Sequence, residues 1–455
     1  MPPSPKAITD LSEFVCSSRF DKLPGQVADQ ARTILLDTLG AMLAASAPRY
    51  SAGRILLEFV RAEGGTPECT LVGTTQRSSC VNAALYNGTL GYYCDIESHH
   101  PGAIMHAAAI TVPTALAVAE REGRSGAELL EAIVLGVDVA CRVSNAIGPT
   151  ALYARGQHPT CVAGGFGAAA AAGYLLRLDP PVMRCAWGLV GTQASGLLAW
   201  ETDTSENSRP FNPGIAARNG CTAALLASLG FGGPPDIFEG RFSLLGAFAN
   251  TPQPKQLTAE LGTRFLINEL AIKRYSCCAF LHPALDGLDE ILAEHGLQSH
   301  QIDAVRVRFP RSGVALIDHN PLRSHSGCYI LPIYILERKV VIDDILVDRQ
   351  REPAIASWDG KVQVLGDDDL DAEFPARYTT ILEVDSEGST FRRRVPYAKG
   401  CPENPLTAEE VEAKFRNLAG TVTEAERVEA MIEMVRRIAS APSIGPLMAL
   451  LRPPA

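Results

Sequence analysis

The sequence predicts a mainly α protein in which a large all-helical domain, built from both chain ends, carries an inserted α+β segment. Three observations predict it. Apolar residues recur at helical spacing from the start to about residue 265, alternating and β-branched runs then take over, and helical spacing returns near the end. The boundaries that follow are 1–266 and 399–455 for the two parts of the helical domain and 267–398 for the α+β segment.

Composition sets the class. A chain of 455 residues with 46% hydrophobic and 20% charged residues has the make-up of a globular protein of about two to three domains. The net charge of −10 provides no basic field for nucleic acid or an anionic membrane surface, so an anionic substrate needs a local cluster of cations. The opening MPPSPKAITDLSEF lacks an apolar signal core, and the most apolar later run, Cys161 to Leu176, is shorter than a membrane span; a cytoplasmic protein is expected. The twelve cysteines show no C-x-x-C and no zinc-module spacing, and read mostly as buried thiols. Cys277 and Cys278 stand apart only by being adjacent, and adjacent side chains rarely form a disulfide.

Each element has its own justification. QVADQARTILLDTLGAMLAA places Ile34, Leu35, Leu39, Met42 and Leu43 on one helical face, and SAGRILLEFVRAEGG stops on Gly64-Gly65. ECTLVGTTQR suits a small hairpin, and VNAALYNGTLGYY resumes helical spacing. The stretch GYYCDIESHHPGAIMHAAAITVPTALA then runs from a polar loop around Pro101-Gly102 into a buried helix whose first turn would present His106. Ser125 and Glu128 form a capping box ahead of a helix apolar nearly all round. In HPTCVAGGFGAAAAAGYLL the small residues demand backbone-close packing; GGFG matches neither a Rossmann nor a Walker pattern. Two more helices follow, and the turn-rich ETDTSENSRPFNP between them should project Arg209 and Asn212 from a loop. After residue 266, AVRVRFP, KVQVLG, TTILEVD and STFRRRVPY read as strands, the last two a hairpin, accompanied by helices at HPALDGLDEILAEHG and near Gly327 to Arg338. Capping boxes at Thr407 to Glu410 and Thr423 to Glu426 open the returning helices.

Cations and imidazoles recur where loops enter helices: His106, His158, Arg209, and Lys273, Arg274 and His282 in IKRYSCCAFLHPALDG. A lone histidine is most often a structural group, but several converging on one cavity beside fixed cations suit a small polycarboxylate and proton transfer at carbon. Adjacent His99 and His100 lack ligand spacing such as H-E-x-x-H, so no metal is expected.

The pieces NGTLGYYCDIESHHPGAIMHAAAITVPTALA, GQHPTCVAGGFGAAAAAG, SRPFNPGIAARNG, KRYSCCAFLHPALDG and SGCYILPIYI, in this order, resemble the MmgE/PrpD family, which includes 2-methylcitrate dehydratase, cis-aconitate decarboxylase and iminodisuccinate epimerase. The resemblance covers nearly the whole chain. It implies a helical domain made from both chain ends, an inserted lid, a homodimer, and a cleft between the domains that works without a redox cofactor. Carried over by position, it puts catalytic roles on Asp95, His106, His158, Lys273 and Tyr329, with Arg209, Asn212 and Arg274 toward substrate. Two departures stand out: Arg209-Pro210-Phe211-Asn212 replaces a K-P-x-H pattern, and Asp95-Ile96-Glu97-Ser98 replaces D-x-D-D. Arginine keeps the charge but does not exchange a proton near neutrality, and Asn212 does not titrate.

The expected function is a cofactor-independent lyase, of dehydratase or decarboxylase type, acting on a small di- or tricarboxylate. His106 would be the base with Asp95 orienting it, and Arg209 and Lys273 would hold carboxylate charge. An epimerase in the same cleft and a non-catalytic carboxylate-binding homologue are the alternatives.

Overall fold

The computed structural model describes residues 6–374 and 377–453. The chain is mainly α. Six long helices surround the site: α1 (Gly25–Ala45), α2 (Cys80–Tyr93), α3 (Ala108–Glu122), α4 (Gly126–Ile147), α5 (Pro159–Leu175) and α6 (Ser208–Ser228). Helices α3, α4 and α5 are buried over most of their length because they are apolar on every side. Their small residues set the spacing. A Cβ on Gly167 of α5 would lie 2.4 Å from the Gly136 carbonyl of α4, and one on Gly220 of α6 would lie 2.5 Å from the Gly165 carbonyl. Only glycine lets these backbones meet.

A second apolar core begins at Tyr275 and reaches Val384. It lies under a four-stranded sheet of order β2-β1-β3-β4, with β1 Ile302–Pro310, β2 Val362–Asp367, β3 Thr380–Ser386 and β4 Ser389–Val395. β2 runs parallel to β1 (Val305 opposite Val362), and β3 runs antiparallel (Val307 opposite Leu382). Helices α7 (His282–Glu294) and α8 (Gly327–Glu337) pack on the sheet. Val305, Val307 and Phe309 of β1 point into this core, while Arg306 and Arg308 bond Glu383 on the other face, the two-residue period of a half-buried strand. The hairpin turn between β3 and β4 is Glu387-Gly388, both at positive φ.

Near the end of the chain, α9 (Ala408–Ala419) and α10 (Ala425–Arg436) contribute Val411, Phe415, Leu418, Val428, Met431 and Ile432 to the helical core. Phe415 and Leu418 sit against Gly40 of α1. The capping box Thr407/Glu410 forms, as does Ser125/Glu128. Thr423 does not cap α10: its N–H bonds to the Ala419 carbonyl, so the preceding turn absorbs it and the helix starts after Glu424. A second local difference concerns ETDTSENSRPFNP. Asp203 accepts hydrogen bonds from the Ser208 N–H and hydroxyl, α6 starts at Ser208, and Arg209 and Asn212 are helical residues, with Pro210 tolerated in the first turn. Among the described residues no helix is long and apolar enough to cross a membrane.

Candidate active site

The site is built on the loop from Tyr93 to Ala107. α2 ends at Tyr93, and Asp95 adopts a left-handed φ of +50°, a conformation aspartate tolerates and most residues avoid. His99 exchanges backbone hydrogen bonds with Ala271, and His100 with Met105 around the Pro101-Gly102 turn. The His106 N–H then reaches Thr160 Oγ1 on α5, just before α3 begins. These bonds fix where four polar side chains of the loop point.

Lys273 is the central cation. Its Nζ lies 2.5 Å from Asp95 Oδ1, 3.4 Å from Glu97 Oε1 and 3.2 Å from the Asp95 carbonyl, with all three residues buried. Burial alone would raise both carboxyls, but Lys273, helped by Arg209 at Asp95 and by His106 at Glu97, holds both below the ordinary carboxylate range. Burial would lower Lys273 too; Asp95 and Glu97 reverse this and leave it raised, so the ammonium is permanent. Glu97 Oε1 also lies 2.8 Å from His106 Nδ1, a contact that becomes an ion pair when the imidazole is protonated. His106 is lowered by burial, partly offset by Glu97. His158, brought in at the start of α5, is held near 3 by burial, and His325 near 4. At neutral pH the site therefore holds neutral imidazoles beside a fixed ammonium.

Asp95, His106, His158, Lys273 and His325 line a cavity of about 60 Å³ with Tyr92, Tyr153, Trp200, Phe280 and Tyr378 as aromatic walls. Tyr92 meets His106 edge-on with centroids 4.8 Å apart, and Trp200 meets His158 at 5.6 Å.

Of the residues expected at the site, Asp95, His106, His158 and Lys273 come together on this cavity. The others sit elsewhere. Arg209 is one layer behind: Nε donates to Glu206, Nη2 to the Tyr93 carbonyl, and Nη1 lies 3.9 Å from Asp95 Oδ1. It presents no open fork, because its charge is already spent on two buried carboxylates. Asn212 donates to the Ser208 carbonyl within α6. Arg274 pairs with Asp286 and lines a different cavity. Tyr329 donates to the Asp344 carbonyl at 2.6 Å inside the sheet-side core. The partner of His106 is Glu97, not Asp95, which Lys273 occupies. Cys277 is enclosed in the sheet-side core, whereas Cys278 lines the cavity with its thiol pushed up to about 12 by burial.

Residues that the sequence reading missed are His325, Glu97 as a working group, and the aromatic walls. His325 stands just before α8 in SHSG, the same histidine-before-helix placement that singled out His106 and His158, so the signal existed. Lys414 and Asp37 gave none. From α9 and α1 they grip the loop from behind, Lys414 Nζ lying 2.5 Å from Asp37 Oδ1 and donating to the Ile96 carbonyl at 2.7 Å. Among the described residues, the donors close enough together for a metal ion are those of Asp318, His319 and Cys328, away from this cavity.

A cavity lined by a permanent cation, a buried carboxylate and neutral imidazoles has the groups that acid–base chemistry on a small anion needs. Comparison with known proteins gives the lineage. The MmgE/PrpD N-terminal domain matches residues 9–257 and the C-terminal domain residues 275–439, and the chain belongs to the MmgE/PrpD family. It is 27% identical to the cis-aconitate decarboxylase-like protein oryM of Aspergillus oryzae, over 99% of this chain and 98% of that protein. Identity is 24% with the cis-aconitate decarboxylase of Aspergillus terreus (98% and 96% covered) and 25% with that of Homo sapiens (99% and 95%).

Proposed function

We propose that this protein is a lyase that removes carbon dioxide from a small di- or tricarboxylate, its own side chains carrying the proton transfers. The observation that carries the reading is His106, Lys273 and Asp95 lining one aromatic-walled cavity, with the buried Glu97 joining His106 to Lys273. The names of the relatives favour decarboxylation over dehydration or epimerisation.

In the proposed reaction an anionic substrate brings negative charge beside His106 and draws a proton onto it. The carbon–carboxylate bond breaks, carbon dioxide leaves, and the electron pair is delocalised toward a neighbouring unsaturated carboxylate as enolate-like charge. The Lys273 ammonium stabilises that charge, and imidazolium returns the proton to carbon. His158 and His325 supply donors on the facing walls. Arg209 acts through Asp95, keeping it ionised and in place. Helical and sheet-bearing parts both furnish walls, which supports reading segment 267–398 as a lid, and the family resemblance supports a homodimer, to be checked by sedimentation.

The test uses purified, metal-stripped protein without nucleotide or flavin. Cis-aconitate and a panel of related di- and tricarboxylates are followed for released carbon dioxide and, in deuterated water, for deuterium at carbon. Carbon dioxide release that disappears in His106→Ala supports the proposal. Exchange without carbon dioxide points to the dehydratase or epimerase chemistry, and binding without either to a carboxylate-binding homologue.

A further inference from the structure

Beside the catalytic cavity lies a larger chamber of about 370 Å³. The two share His99, Lys273, Ala279 and Tyr378 as a common wall, in which the His99 and Tyr378 rings stack at 12° with centroids 6.3 Å apart. The turn bearing Lys399 and Gly400 closes the chamber's other side. Ile272 N–H donates to the Gly400 carbonyl, and Gly400, at φ +101°, leaves no room for a side chain: a Cβ there would stand 1.9 Å from the Ile272 carbonyl oxygen. The rim at Arg377, Pro402 and Glu403 is exposed.

The volumes decide how a substrate fits. The inner cavity, at about 60 Å³, is much the tighter of the two beside the 370 Å³ chamber. A substrate seated inside with a second charged end has room for that end across the shared wall. Charge points the same way. Inside, Lys273 and Arg209 are matched by three carboxylates, Asp95, Glu97 and Glu206, so no cation is left over for a second anionic group. The outer chamber offers unused donors. His282 is 4% exposed and His99 8% exposed, and among the described residues His282 Nε2 and both ring nitrogens of His99 have no hydrogen-bond partner. Arg377 lies over the Tyr397 ring at the rim, and Lys399 reaches only the exposed Glu410, at 3.1 Å. Of the two acids on the wall, Glu269 is engaged by Arg264 and His100, which leaves Glu403 at the rim.

We propose that this outer chamber is the subsite for the non-reacting carboxylate end of the substrate, with His282 and Arg377 as the residues that select for it; this rests on the inner cavity being the reaction site. The substrate lies across the His99–Tyr378 wall, its reacting end among His106, His158 and Lys273. Imidazole N–H groups bond a carboxylate with charge assistance, and an arginine at the rim draws the anion in.

The test compares a tricarboxylate with a short dicarboxylate in wild type, Arg377→Ala and His282→Asn, by carbon dioxide release. In each variant kcat/KM for the tricarboxylate should fall about tenfold relative to the dicarboxylate, chiefly through KM. Equal falls for both compounds, or none, overturn the subsite. Arg377 is exposed, so its variant still decides the matter should His282→Asn not fold. If wild type turns over neither compound, the proposed reaction fails and the subsite is judged by calorimetry on the same proteins. Tricarboxylate binding weakened about tenfold by Arg377→Ala supports it; unchanged binding, or none in wild type, overturns it.

Discussion

Glu97 is the residue on which the proton chemistry turns. Its carboxylate is shared between the Lys273 ammonium and His106 Nδ1, and it is the group that opposes the lowering of His106 by burial. Glu97→Gln removes that opposition, so the His106 pKa should fall further. The alkaline limb of the kcat profile, where the imidazolium is lost, should move to lower pH, and turnover should drop about tenfold to a hundredfold. An unmoved limb with normal turnover would show that His106 is not the titrating group. Arg209 makes a different prediction from the one its sequence position suggests. It holds Glu206 and the Tyr93 carbonyl as a buried fork, so Arg209→Lys should lower the melting temperature, with a loss of about 3–5 kcal/mol if a buried carboxylate is left unpaired. If the variant melts like wild type and only its KM rises, the guanidinium reaches substrate after all.

At the scale of elements, the loop from 95 to 98 works because helices from opposite ends of the chain hold its back. Lys414 on α9 and Asp37 on α1 are both pushed toward neutrality by burial, each opposed by the other. Removing one charge strands its partner, whereas removing both leaves a neutral contact. Lys414→Met and Asp37→Asn should each cost several kcal/mol and lower turnover with little change in KM, and the double variant should recover part of both losses. Simple additivity in a denaturant-unfolding cycle would rule out the clamp. This pair marks the limit of what a sequence displays. Helices, strands and the loop before α3 are written in local periodicity and in cappers such as Ser125, and His106, His158 and Lys273 stand out as polar groups at the edges of apolar runs. Lys414 lies in an ordinary amphipathic helix, and only the tertiary fold carries it to Ile96. Tyr329 and Arg274, expected at the site from the family pattern and the run after Lys273, bond the Asp344 carbonyl and Asp286 away from the cavity.

Across the whole molecule the buried imidazoles tie stability to pH. His158 and His282 are held near 3 and His325 near 4, in each case first by burial, while an unfolded chain binds these protons near 6.5. Between those values the unfolded state carries more protons, so the stability they confer is full above about pH 6.5 and falls as the pH drops through that window. Each histidine contributes a slope of up to about 1.4 kcal/mol per pH unit. Asp95, held low, adds a loss of the same sign only below about pH 4. Asp37 and Asp138 are raised by burial and act oppositely, since their native forms bind protons more tightly than the unfolded chain does. Glu131, Glu206, Asp286 and Asp344 are raised by burial as well, and all of these acids work against the histidines from about pH 4 upward, so the histidine share is the part that a histidine variant removes. Urea unfolding at pH 7, 6 and 5 should therefore lose about one proton's worth of its pH slope in His158→Gln. An unchanged slope in that variant would mean that water reaches this ring in the folded protein. An inner cavity that wet would hold His106 near its ordinary pKa, and the proton transfers proposed for it would need no enclosing wall at Tyr378.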